Sequence, residues 1–151
     1  MSTDVLIREL RRDDLERLLS LYRQLHEQDD PLPERAQVAA HWETILRDPA
    51  QLYLGAFADG ALVAACNAAV IPNLTRGARP YAVIENVVTA ANYRRRGIGA
   101  SVMRALLALC WARRCYKVML MSAGGRAEIH AFYEALGFDK HAKQAFVITA
   151  R

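Results

Sequence analysis

The sequence predicts an α/β fold on one mixed sheet, with elements in the order β-α-α-β-β-β-α-β-α-β. Three observations carry that prediction. Residues 80–89 read as a strand, 97–114 as a long helix and 116–122 as a further strand, and strands joined by a helical crossover become parallel neighbours. Asp59-Gly60 between two apolar runs is a strong two-residue hairpin signal, so part of the sheet is antiparallel. Near the start, Leu15, Leu18, Leu19, Tyr22 and Leu25 form one apolar stripe at helical spacing.

Taken in order, Val5–Leu10 is the first strand, and Asp13 or Asp14 can cap the helix that follows. A polar break at Glu27–Pro33 separates it from a second helix, opened by Pro33 in its first turn and closed before Asp48-Pro49. Gln51–Ala58 and Ala61–Ile71 form the hairpin, and Pro72–Pro80 is a loop carrying Arg76 and Arg79. The strand Pro80–Thr89, the helix Gly97–Arg114 and the strand Tyr116–Ser122 come next. Ala127–Leu136 is a helix that Gly137 stops in the left-handed conformation. Gln144–Thr149 is expected to be a last strand.

A chain of 151 residues is expected to form one domain, 1–151, and its 53% hydrophobic and 24% charged content are those of a folded globular protein. The net charge of +4 is modest, and the basic residues are scattered apart from 94–96 and 113–117. With no aromatic-rich RNA-binding strand and no zinc finger, the charge reads as serving an anionic small ligand, not nucleic acid. Three cysteines without CxxC spacing point to reduced thiols and a cytoplasmic protein, with Cys66 and Cys110 as core residues. His26, His41, His130 and His141 show no metal-binding spacing, so no metal is expected. The longest apolar run, Ala61–Ile71, contains Asn67 and is too short to cross a bilayer, so no membrane partner is expected.

The most informative stretch runs from Ile84 to Cys110. A compact strand, Ile84–Thr89, is followed by Arg94-Arg95-Arg96-Gly97-Ile98-Gly99 and then by a helix with Ile98, Val102, Leu106 and Leu109 on one face. Helix starts favour acidic residues, yet this first turn has none and is approached by three arginines and two glycines. Free N–H groups at a helix start bind anions, and glycine lets a ligand come close to the backbone. The pattern is an anion site suited to phosphate. It is not a nucleotide P-loop, because no Gly-Lys-Ser/Thr follows, and Val102 stands where a dinucleotide fingerprint needs a third glycine.

Arg94-x-x-Gly97-x-Gly99 after Val87-Val88-Thr89 resembles the acyl-CoA motif of the GCN5-related N-acetyltransferase superfamily. Cys115–Leu120 and Ala131-Phe132-Tyr133-Glu134-x-x-Gly137-Phe138 resemble that family's later strand and helix, and come in its order. Glu85-Asn86-Val87-Val88 is locally similar to the glucosamine-6-phosphate acetyltransferases within it. The resemblance implies the fold of that family and acetyl-CoA as cofactor. It puts the diphosphate on the N–H groups of Arg95, Arg96, Gly97, Ile98, Gly99 and Ala100, with Arg94 beside them. The pantetheine arm would lie in a gap between two splayed parallel strands, paired with Val87, Val88 and Thr89.

The reaction so implied is direct acetyl transfer to a primary amine of a small molecule. It needs a proton acceptor for the amine, a donor to the carbonyl oxygen and a proton donor for the thiolate. Glu85 is the candidate proton acceptor. Residues 83, 85, 87 and 89 of a regular strand share a face, which places Glu85 beside Val87 and Thr89. Whether it acts directly, through water, or only positions substrate stays open. The family motif makes Tyr133 the candidate acid. Arg126 stands where many members have a pantetheine-binding Asn, and Arg126 and His130 are candidate cofactor contacts. Tyr22, His26, Glu27, Arg76 and Arg79 are candidate substrate residues, with Asp29, Asp30 and Asn73 near them. The acids suit a cationic amine and the arginines a phosphorylated one, and the sequence does not choose. A protein or peptide acceptor and a non-catalytic CoA-binding module are the alternatives. Dimers are common in the family, so a homodimer is possible, though nothing in the sequence reveals one.

Overall fold

The computed structural model describes residues 4–123 and 125–150. Asp59 and Gly60 both adopt left-handed backbone, with φ of 52° and 78°, as a tight hairpin turn demands. They fold β2 (Gln51–Ala58) onto β3 (Ala61–Ile71). β1 (Val5–Glu9) pairs antiparallel with β2, and β4 (Tyr81–Thr89) antiparallel with β3. β5 (Val118–Leu120) adds parallel to β4, giving a five-stranded sheet in the order β1-β2-β3-β4-β5.

The apolar stripes of the helices cover the two faces. On one, α1 (Leu15–Tyr22) and α2 (Arg35–Arg47) bury Leu18, Leu21 and Trp42 against Phe57, Ala65 and Val88. On the other, α4 (Ile98–Ala112) buries Val102, Met103, Leu106 and Cys110 against Leu52, Leu54, Cys66 and Ile84. α5 (Ala127–Ala135) packs Phe132 and Tyr133 on that same face, and Leu136 just after it joins them. Each fully buried Leu or Ile contributes roughly 1.5–3 kcal/mol, so this two-faced burial dominates the stability. All three cysteines are buried and unpaired. Burial pushes the Cys66 thiol up to about 12 and Cys110 to about 11.

Four expectations change. Asp14 lies at the start of α1, but its carboxylate does not cap that helix. It is 1% exposed and accepts two hydrogen bonds from the Arg8 guanidinium, at 2.7 and 3.0 Å. It also accepts one from the Arg11 N–H at 2.7 Å and a longer one from Arg17 at 3.4 Å. α2 begins at Arg35, so Pro33 lies ahead of it and not in its first turn. The loop after β3 contains a single turn, α3 (Thr75–Ala78), distorted by left-handed Arg76 and Gly77.

The expected last strand, Gln144–Thr149, does not form. Phe146, Val147 and Ile148 are 90%, 73% and 98% exposed, and no ladder pairing includes them. A strand exists only with a partner to satisfy its backbone, and within the described residues this segment has none.

Candidate functional site

The mouth of α4 is built by three local devices. Arg95 and Gly97 take left-handed backbone, with φ of 62° and 76°. Gly97 is the N-cap, and neither a capping side chain nor an acidic residue serves the first turn. Ser101 is the first residue to close the helix, its N–H bonding Gly97 O at 3.0 Å, and the N–H groups of residues 95–100 have no backbone acceptor among the described residues. The two glycines differ in purpose. A Cβ on Gly97 would meet open space, so its conformation requires glycine. A Cβ on Gly99 would stand 2.9 Å from Thr89 Oγ1, with the Phe132 ring beyond, so close strand–helix packing requires it there.

The arginines divide as well. Arg94 Nε donates to Thr89 O at 3.0 Å, fixing the turn between β4 and the loop. Arg96 lies 5.1 Å from the Tyr93 ring centre, and both it and Arg95 are exposed. The result is an electropositive rim around open backbone donors.

The mouth sits at the carboxyl end of β4, where the sheet opens. β4 pairs with β5 only over Ala82–Ile84, so from Glu85 to Thr89 the β4 edge has no strand beside it among the described residues. A bulge lies in the same place. Asn67 pairs with Glu85 but Ala65 pairs with Val88, which leaves Asn86 and Val87 opposite Cys66 alone. Asn86 has φ of 52°, and its side-chain amide donates to Asn67 Oδ1 at 3.2 Å.

That bulge corrects the position of Glu85. Ile84 faces α4 while Val88, four residues on, faces α1, a reversal impossible in a regular strand. Val87 and Thr89 therefore face α4 and α5, whereas Glu85 lies on the opposite face, in one row with Tyr53 and Asn67. Glu85 is exposed and makes no ion pair among the described residues.

Tyr133 packs between Phe132 and Phe138, with ring centres 5.2 and 6.0 Å away. Burial pushes its phenol above the usual value, and the nearby Cys66 and Glu85 add to this. Tyr133 thus lies within electrostatic reach of Glu85 although the two stand on different faces. His130 and Tyr133 border a cavity of about 790 Å³ that runs along the outer side of β5, past Met119 and Met121. None of the residues at the α4 mouth lines it. Arg126 is exposed at the N-cap of α5.

The candidate substrate residues fall into two separate groups. His26 and Glu27 are exposed just beyond α1, where Gln24 Oε1 accepts the Ala91 N–H at 2.9 Å and ties this segment to the end of β4. Tyr22 is more deeply set. Its hydroxyl is buried without a partner, and burial beside Tyr53 and Cys66 drives its pKa far above the phenol range. Arg76 and Arg79 instead sit at the amino end of β4, both 5.9 Å from the Tyr116 ring centre. Tyr81, where β4 begins, lies four residues from Glu85, about 13 Å at ~3.3 Å per residue.

Sequence reasoning missed Asn67 and Asn86. A polar residue inside the apolar run of β3 and an asparagine, tolerant of left-handed backbone, inside β4 were the available signals. Among the described residues, no group of three metal-ligating side chains occurs and no helix is long and apolar enough to cross a membrane.

A family model described as the Acetyltransferase (GNAT) family matches residues 12–138. Glucosamine 6-phosphate N-acetyltransferase of Trypanosoma brucei brucei is 35% identical over 85 residues, which are 56% of this chain and 56% of that enzyme. The match therefore spans little more than half of that relative. A protein of Agrobacterium tumefaciens str. C58, provisionally called an acetyltransferase, superposes with a TM-score of 0.90 at 38% identity, covering 96% of this chain and 99% of its own. A Trypanosoma brucei acetyltransferase superposes with a TM-score of 0.81 at 28% identity, covering 97% of this chain and 100% of its own.

Proposed function

The chain belongs to the acetyltransferase (GNAT) family, and from that membership we propose that it passes acetyl from acetyl-CoA directly to a primary amine of a small molecule. Membership sets the reaction class, N-acetyl transfer, and the cofactor, acetyl-CoA. The observation that carries the fuller reading is the pairing of an uncapped helix mouth with an unpaired strand edge at the carboxyl end of β4.

Acetyl-CoA supplies an activated acetyl thioester. The residues present fit it: the N–H groups of 95–100 would hold the diphosphate, with Arg95 and Arg96 at the rim, and the β4 edge from Val87 to Thr89 would hold the pantetheine amides. A backbone N–H in Val87–Thr89, just past the bulge, would donate to the acetyl oxygen as it gains charge. Glu85, on the α1 side, takes a proton from the ammonium, directly or through water. Tyr133, on the α4 side, is a phenol and so protonated at neutral pH, burial raising its pKa further, and it would give its proton to the departing thiolate. Glu85 on β4 and Tyr133 on α5 thus lie toward opposite faces of the sheet, one to serve the incoming amine and the other the departing thiolate.

The Trypanosoma relative acts on an amino sugar phosphate by its name, which supports a small amine as acceptor here. Three unpaired buried thiols support a cytoplasmic location, and a single domain over 1–151 accords with the spread of the match. Incubation with acetyl-CoA and parallel panels of small amines and peptides, read by mass spectrometry, tests the proposal. Acetylated small amines are expected. Acetylation of peptides alone would make it a protein acetyltransferase, and coenzyme binding in calorimetry without any transfer would make it a non-catalytic module.

A further inference from the structure

Two polar residues are buried among the described ones, Asp14 and Asn67. Asp14 is satisfied by its arginines. Asn67 lies in the apolar middle of β3, between Cys66 and Ala68, where an amide without a partner is costly. Cys66 and Ala68 pack toward α4, so Asn67 turns toward α1, in register with Glu85. Among the described residues its carboxamide makes one hydrogen bond, accepted at Oδ1 from Asn86 Nδ2 at 3.2 Å.

Asn86 needs that hold. Its φ of 52° is one that residues other than glycine adopt at a cost, though asparagine at a smaller one than most. Its side chain reaches Asn67 on the α1 side, the side of Glu85, whereas neighbours in a regular strand point to opposite faces. Asn86 is thus the extra residue of the bulge, and alternation resumes with Val87 toward α4 and Val88 toward α1. β4 holds no glycine to mark this place, so the choice falls to a contact from outside the strand. An extra residue one place earlier or later would change which neighbours face α1 and which face α4.

We propose that Asn67 is a positioning residue for acetyl transfer. By clasping the Asn86 carboxamide from the neighbouring strand, it fixes the extra residue of β4 at position 86. That keeps Glu85 toward α1 and holds the backbone of Val87–Thr89 in a single course. The proposal rests on the roles given above to Glu85 and to that backbone, and assigns Asn67 no contact with the reacting groups.

Rates of coenzyme release with the best acceptor amine, measured beside acetyl-CoA calorimetry, test it. Asn67→Ala lowers kcat roughly 10–100-fold, the scale of a small displacement of reacting groups. Coenzyme affinity falls less, because the diphosphate still rests on the α4 mouth. Asn86→Ala, which loses both the clasp and the tolerance of left-handed backbone, is slower than Asn86→Gly, which loses the clasp alone. The deciding comparison is between backgrounds. Asn67→Ala costs little in the Asn86→Gly protein, where no carboxamide is left to clasp. An equal cost in both backgrounds, or a wild-type kcat in Asn67→Ala, overturns the proposal. Backbone amide exchange at Glu85–Thr89, followed by NMR, reads the bulge without turnover, and Asn67→Ala speeds it in the wild-type background alone. A wild type that transfers acetyl to no amine sinks the function proposed above, and exchange then decides by itself: rates at Glu85–Thr89 that Asn67→Ala leaves unchanged overturn the clasp.

Discussion

The Asp14 node and the mouth of α4 are both made of arginines and backbone N–H groups, yet one is closed and the other open. At Asp14, two guanidiniums and the Arg11 N–H converge on one buried carboxylate. At α4, the N–H groups of residues 95–100 meet no backbone acceptor among the described residues, and the first turn holds no acid. Donors with an internal acceptor hold a fold together, since stripping a buried partner away is costly. Donors arrayed at a surface with no acceptor are held ready for one that arrives from outside.

The sharpest way to break that contrast is Asp14→Ala, which leaves the Arg8 guanidinium beside a buried hole. A loss of about 3–5 kcal/mol in urea unfolding is expected, with coenzyme affinity of the folded protein unchanged. An affinity loss would show that the two regions are not independent. Next in size is Tyr133→Phe, expected to lower kcat ~100-fold while the KM for acetyl-CoA shifts little. If kcat is unaffected, Tyr133 is no acid.

Gly97→Ala has a smaller effect, because only the left-handed backbone resists it, at about 1–2 kcal/mol. Calorimetry should show coenzyme binding weakened by about tenfold, with thermal stability little changed, if the loop gives way more readily than the helix. Least of all is the acid-side difference between wild type and Asp14→Asn. The Arg8 guanidinium holds Asp14 below the usual carboxylate range. Its contribution is therefore complete above pH ~4, the unfolded value, and is lost as pH falls through the lower folded value. The stability gap between the two proteins should close on acidification, and a gap constant with pH would mean that packing, not charge, sustains the node.

What could be read in advance was whatever depends on neighbours in the chain. The Arg94–Gly99 loop, the Asp59-Gly60 turn and the strand–helix–strand crossover are local or nearly so, and all three stand as the residues suggest. The bulge was not legible, because it is a mismatch in count between β3 and β4 and neither strand shows it alone. Glu85 was therefore expected on the face of Val87, and one extra residue moved it to the other. Asp14 looked like a helix cap because its partner, Arg8, lies across a turn and not along a helix. Residues 144–149 have a strand's composition, but composition cannot supply a neighbour.

The buried cysteines have a practical meaning for anyone who measures this protein. Cys66 and Cys110 are held as neutral thiols by burial, and Cys115 is shifted the same way, so colorimetric sulfhydryl reagents should find the native chain silent. Any sulfhydryl that appears in such an assay then comes from spent coenzyme, and turnover can be counted in real time against a flat background.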